Sequence, residues 1–290
     1  MKLSGIFAAI TTPFDHNGDI YRAKIEHNLS RWNANTLAGY VVGSSAGEGV
    51  LLAHDEKIAV WELSAKSAAE GRILVADLSV EGVREAAELA VQAARLGYHA
   101  VCAQAPQHYG RLMNGAESQA LFFRALADRS PIPVIILDQE SGDALGASTI
   151  ARLSQHPNIA GAVVTGNAKD LLASVQLGFQ VLVGSAPNLW DGLRSGAHGA
   201  VLAFAAASPF GAIAVWEAFR TREEEAGLDW QNRISHPADL VTGVYGVAGL
   251  KHAMDLNGYY GGPPRLPLMP LSIEARAEIA RAFEDFSGKT

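Results

Sequence analysis

A single cysteine, Cys102, among 290 residues excludes an intramolecular disulfide framework and any zinc or iron–sulfur site built on several thiolates. It sits in an apolar run (Ala100-Val101-Cys102-Ala103) and reads as a buried strand position rather than a nucleophile. Basic charge is scarce as well. The 23 lysines and arginines are outnumbered by 30 acids, for a formal net charge of −7. Nucleic-acid partners are therefore not expected, since they call for a basic face or stripe. No apolar run approaches the roughly 18 residues of a membrane span. The apolar stretch near the N-terminus is cut by Thr11, Thr12 and Pro13, too soon for the core of a signal peptide. The expectation is a cytoplasmic chain with no membrane partner. Internal repeats and low-complexity tracts are missing too, and a hydrophobic fraction of 49% excludes intrinsic disorder.

What the sequence does hold is a regular alternation. Short apolar runs rich in β-branched residues occur at Gly5–Thr12, Gly39–Ser44, Ile73–Leu78, Ala100–Ala105, Pro133–Asp138, Ile159–Thr165, Phe179–Ser185 and Gly199–Ala205. Near-continuous apolar strands are what a parallel sheet buried on both faces requires. The stretches between them carry helical periodicity, as in 83–94, where charges fall on one face and alanines on the other. Eight such units predict a closed (β/α)₈ barrel over residues 1–207. An open doubly wound sheet would need a glycine-rich fingerprint after its first strand, and there is none. Helical patterns at Phe210–Glu225, Asp239–Leu256 and Ile273–Phe286 predict a C-terminal helical extension, 208–290, packed on the barrel as one structural unit.

Active sites of such barrels lie at the C-terminal ends of the strands. Those ends read Thr11-Thr12-Pro13-Phe14, Gly43-Ser44-Ser45-Ala46-Gly47-Glu48, Asp77, Pro106-Gln107-His108-Tyr109, Asp138-Gln139-Glu140, Val163-Val164-Thr165-Gly166 and Gly184-Ser185-Ala186. Four stretches there and downstream resemble the pyruvate-dependent class I aldolases typified by dihydrodipicolinate synthase and N-acetylneuraminate lyase. They are Thr12-Pro13-Phe14, Gly47-Glu48, the strand Gly178–Ala186, and Gly249-Leu250-Lys251 followed by Gly262-Pro263-Pro264-Arg265-Leu266-Pro267. Residues 106–113 and 130–133 are most similar to the 4-hydroxy-2-oxoglutarate aldolase branch.

The resemblance implies a lyase acting on 2-oxo acids and a homo-oligomer, most often a tetramer. It implies no cofactor, because a lysine at the end of strand six forms the Schiff base that serves as electron sink. That pattern, Gly-Ile-Lys-Asp in the family, reads Gly161-Ala162-Val163-Val164, so Val163 stands at the lysine position. Leu137 stands where the family carries its proton-relay tyrosine, and the arginine that often follows has no counterpart in 141–144. In the turn after strand two, Ser45 keeps a hydroxyl and Ala46 does not. The turn's amides remain able to bind an anion. The candidate substrate-binding residues are then Ser45, Ala46, Gly184 and Ser185, and the candidate catalytic residues His108, Tyr109 and Ser45.

Among other lysines, Lys169 is nearest to Val163 in sequence but reads as a solvated residue in a helix's first turn, and Lys24, Lys57 and Lys66 read as surface. Glu48 resembles a structural glutamate that caps backbone amides, and Lys251 a family position remote from the chemistry. Asp77, Asp138 and Glu140 add carboxylates at the rim, which suggests an oxygen-rich divalent-metal site or a pocket for a cationic ligand. The bland alternative is that they pair with Arg111 or face solvent. The nine histidines show no HxH or HxxxH spacing, which argues against a histidine zinc site. His99 and His198 precede strands and fall at the opposite end of the barrel, so only His108 is placed for acid–base work. Three readings follow: a small-molecule binder with altered or no chemistry, a non-catalytic oligomeric protein, and a metal-assisted lyase.

Overall fold

The structure, a computed structural model, describes residues 1–108, 115–138, 145–166 and 168–284. Its eight strands are β1 (Gly5–Ile10), β2 (Gly39–Val42), β3 (Ile73–Asp77), β4 (Ala100–Gln104), β5 (Val134–Asp138), β6 (Ile159–Val164), β7 (Gln180–Val183) and β8 (Gly199–Leu202). They pair in parallel in chain order, and β8 closes onto β1 through the Gly5–Gly199 to Ala8–Leu202 register. The arrangement is the (β/α)₈ barrel that the alternation of apolar runs called for. Each strand is shorter than its apolar run, and in all but β5 the run continues into the loop at the strand's end.

Helices α1 (Arg22–Asn33), α2 (His54–Ser67), α3 (Val83–Arg95), α4 (Ala116–Ala127), α5 (Ala147–Leu153), α6 (Ala168–Leu172) and α7 (Leu189–Arg194) follow the first seven strands, and α8 (Phe204–Ala207) follows the eighth. In α3 the alanines and leucine at Ala86, Leu89, Ala90 and Ala93 are buried, the face that the 3.6-residue period assigned to the sheet. Side chains pointing inward from the strands (Val41, Val75, Cys102, Ile135, Leu182, Val201) fill the barrel axis, so it is a packed core rather than a pore.

Beyond the barrel lie α9 (Pro209–Thr221), α10 (Glu224–Asp239), α11 (Gly246–Leu256) and α12 (Ile273–Ala282). The sequence periodicity predicts three helices here and none over 226–238. That segment is the body of α10, where Gly227 and Pro237 interrupt the periodicity. Gly227 is small because the Trp190 ring fills the place of a side chain, 2.1 Å from where a Cβ would stand. Pro237 lies two residues before the end of α10, which is followed by a wider turn, Leu240–Val244. No helix among the described residues is long and apolar enough to cross a membrane.

Candidate functional site

A cavity of about 730 Å³ opens at the C-terminal ends of the strands, within the size range of small-molecule sites. Its floor is apolar. Leu137 and Val163 are partners in the β5–β6 register, Val163 pairs with Leu182 across β6–β7, and all three are at least nine-tenths buried. Val163 Cγ1 lies 3.1 Å from where a Cβ on Gly184 would stand, so the chain bends closely over the valine. Among the described residues lining the cavity there is no lysine, arginine or histidine, whereas Asp77, Asp138 and Asp239 are present.

The turn after β2 forms one polar wall. Ser44 and Ser45 both line the cavity, Ser44 buried and Ser45 exposed, and Ser45 Oγ accepts from Gln104 Nε2 at 3.4 Å. The turn spends the amides of Gly47 and Gly49 on the Ser44 carbonyl and that of Glu48 on the Ser45 carbonyl. It closes so tightly that a Cβ on Gly49 would stand 1.7 Å from the Gly43 carbonyl oxygen. Any anion binding by this turn falls to the remaining amides, of Ser45 and Ala46.

Asp77 ends β3 inside this wall rather than on an exposed rim. It is 1% exposed; Oδ1 accepts from the Ser79 amide at 2.9 Å and the Ser79 hydroxyl at 2.7 Å, while Oδ2 has no hydrogen-bond partner. Burial pushes its carboxyl up to about 6, against the pull of Ser79 and of the Lys57 charge. The Cys102 thiol lies beside it, buried as the sequence indicated, and burial raises that thiol well above its ordinary value. Asp138 accepts from the Leu145 amide at 2.9 Å through Oδ1. Among the described residues no three His, Cys, Asp or Glu side chains come together as a metal site. The third expected carboxylate, Glu140, lies outside the described residues, as do the candidate Tyr109 and Arg111.

Ser45, Ala46, Gly184 and Ser185 therefore share one cavity with Val163 and Leu137. His108 does not join them: it is exposed, its amide and that of Gln107 donate to Glu81 Oε2, and it is not among the described lining residues. The strand-four loop carries it outward, which strand-end position alone does not reveal. Lys57 corrects the sequence reading in the other direction. Its Nζ is drawn inward to donate to the Leu78 carbonyl at 2.5 Å, and burial lowers its pKa. Lys169 is exposed, as expected. His99 and His198 sit at the far end, where their Nδ1 atoms accept from the Leu74 and Val181 amides. Missed in the sequence were Asp239, at the end of α10, and Thr242, in the wider turn that follows, both of which line the cavity. Gly243 was the available signal, since a Cβ there would meet Asp239 Oδ1 at 2.7 Å.

Three of the four stretches that carry the family resemblance meet beside this cavity in one structural cluster. Glu48, in the left-handed region at φ 56°, forms a fully buried ion pair with Lys251 of α11 at 2.5 Å and accepts from the Arg265 amide at 2.7 Å. Lys251 lies 4.5 Å, and the Arg265 guanidinium 4.2 Å, from the centre of the Phe14 ring. Arg265 also grips Glu56 with two bonds of 2.6 Å, holding that carboxyl below its ordinary range. Glu48 thus neutralises a buried lysine as well as capping an amide.

Comparison with known proteins follows the same lines. The dihydrodipicolinate synthetase family profile matches residues 2–285. The 4-hydroxy-tetrahydrodipicolinate synthase of Exiguobacterium sp. is 28% identical, over 98% of each chain. The L-threo-3-deoxy-hexylosonate aldolase of Hypocrea jecorina is 30% identical over 92% of this chain and 90% of its own. Among solved structures, a dihydrodipicolinate synthase from Bacillus anthracis superposes with a TM-score of 0.91 at 23% identity, covering 97% of this chain and 98% of that one. At that identity the likeness speaks for the fold.

Proposed function

The chain belongs to the dihydrodipicolinate synthetase family, and from that premise we propose that it binds a small molecule at the barrel mouth without forming the family's Schiff base. The family is one of lyases and aldolases, so the coarse assignment is a lyase lineage. The observation that carries the proposal is the cavity floor, where Val163 and Leu137 lie side by side on paired strands. By resemblance, these are the places of the Schiff-base lysine and the relay tyrosine. A valine offers no nucleophile, so no iminium forms there to take up the electrons of a breaking carbon–carbon bond. A leucine offers no proton.

Retained binding is supported by the cavity's size and by the persistence of Ser45 and Ser185 in its wall. Chemistry, where any survives, falls to groups the family does not use, and Tyr109 and His108 remain candidates from sequence alone. Metal assistance finds no cluster among the described residues. The reading takes the chain as a homo-oligomer, as the resemblance implies, and as cytoplasmic, as the sequence leads one to expect. A coupled assay of pyruvate release from 4-hydroxy-2-oxoglutarate tests it. Release should be indistinguishable from a protein-free control, and turnover abolished by borohydride in the presence of pyruvate would overturn the reading.

A further inference from the structure

We infer that the mouth cavity takes a small molecule bearing a protonated amine, with the nitrogen held by Asp77 and Ser44. This deepens the reading above that the cavity binds a small molecule, and rests on it. The described lining holds three carboxylates and no cation. A cleft with walls of one sign raises the local concentration of the opposite charge and repels its own. The wall therefore favours a cation over the carboxylate of a 2-oxo acid.

Two buried acceptors in that wall lack N–H or O–H partners. Asp77 Oδ2, on a residue 1% exposed, and Ser44 Oγ, on a residue 7% exposed, meet no N–H or O–H donor among the described residues; the Cys102 thiol beside Asp77 is a weak donor. Buried polar atoms left unpaired cost free energy, and native structures normally satisfy them. The two residues stand at the ends of β2 and β3, which pair up to Val42–Ala76. Ser79 Oγ lies between the two strand ends, 2.7 Å from Asp77 Oδ1 and 3.1 Å from the Gly43 carbonyl oxygen, and its single proton goes to the nearer, Oδ1. That leaves Oδ2 and the Ser44 hydroxyl for a ligand. An ammonium group carries three donors and no acceptor, the complement of a carboxylate oxygen and a hydroxyl. A carboxylate ligand would offer Asp77 no donor at all.

The other groups around Asp77 leave this intact. Lys57 of α2 gives two of its three donors to the Leu78 and Ser79 carbonyls, acts on Asp77 through its charge alone, and is not among the described lining residues. The Cys102 thiol of β4 is neutral, and its S–H is a weak donor to Asp77 that a charged ammonium surpasses. Asp138 and Asp239, on other walls, extend the negative field without forming a three-ligand cluster with Asp77, which suits a monovalent organic cation better than a divalent metal.

The test is calorimetric titration of the full chain at pH 7.5 with three probes of one shape and different charge: 1-amino-2-propanol, 1,2-propanediol and lactate. The amine should bind at least tenfold tighter than the other two. Asp77→Asn, which keeps the acceptor for Ser79, should lose at least tenfold in amine affinity while retaining the native circular dichroism spectrum. Ser44→Ala should weaken the amine more than the diol. Diol or lactate binding as tightly as the amine, no binding by any probe, or an unchanged affinity in folded Asp77→Asn would each overturn the inference. If Asp77→Asn does not fold, the probe series on the native chain decides. Preference for lactate sinks only the amine assignment, whereas a borohydride-trapped pyruvyl adduct sinks the reading beneath it.

Discussion

Burial holds the Asp77 carboxyl at about 6, against 3.8 for the free side chain. Between those values the folded chain keeps a proton that the unfolded chain has released, so stability falls as pH rises through roughly 4 to 6. Above the window the ionised group costs on the order of 3 kcal/mol, a penalty that makes sense for a residue kept for its charge. Asp77→Asn should therefore raise the melting temperature by a few degrees at pH 7.5 and not at pH 4; equal shifts at both pH values would contradict the assignment. Amine binding should weaken as pH falls below about 6, followed by titration at several pH values. Val163→Lys places an ammonium beside Leu137 and Leu182. Desolvation will depress its pKa, and we expect a loss of several kcal/mol in stability at neutral pH. Aldol cleavage should stay absent because Leu137 still relays no proton; pyruvate release by this single variant would refute that.

The elements are held in register by contacts that the sequence carries openly but whose purpose it conceals. Phe14, Glu48, Lys251 and Arg265 look like family signatures, and in space they tie the ends of β1 and β2 to α11 and the loop that follows it. Removing one partner of a buried pair strands the other, so Lys251→Met should cost about 3–5 kcal/mol in urea unfolding. The double variant Lys251→Met, Glu48→Gln should recover much of that; equal loss in both would remove the ion pair from the account. The strands were legible because parallel strands covered on both faces need uninterrupted apolar residues, and each of the eight runs supplied them. Helix α10 was not, because Gly227 and Pro237 interrupt its periodicity, and Gly227 is set by Trp190, a contact far from local propensity. For the site, strand ends identified Ser45, Asp77, Leu137, Val163 and Ser185 as cavity residues. Side-chain direction stayed hidden: Lys57 looked solvated on a charged helix yet turns inward along its apolar stem, and His108 looked poised yet faces out.

At the scale of the whole molecule, the chain keeps the family's barrel, and the proposed reading is that the chemical positions at its mouth differ. A fold can host many chemistries, and function has to be argued from the site it carries. If the oligomer implied by the resemblance forms, light scattering should report four times the 30.6 kDa of one chain; a monomer at micromolar concentration would contradict it. The central claim, that no lysine of this chain forms an imine with a 2-oxo acid, is tested most directly by borohydride reduction in the presence of pyruvate, read by intact mass. The account predicts an unmodified chain alongside a lysine-bearing relative that gains the pyruvyl mass. A pyruvyl adduct on any lysine of this chain would contradict it.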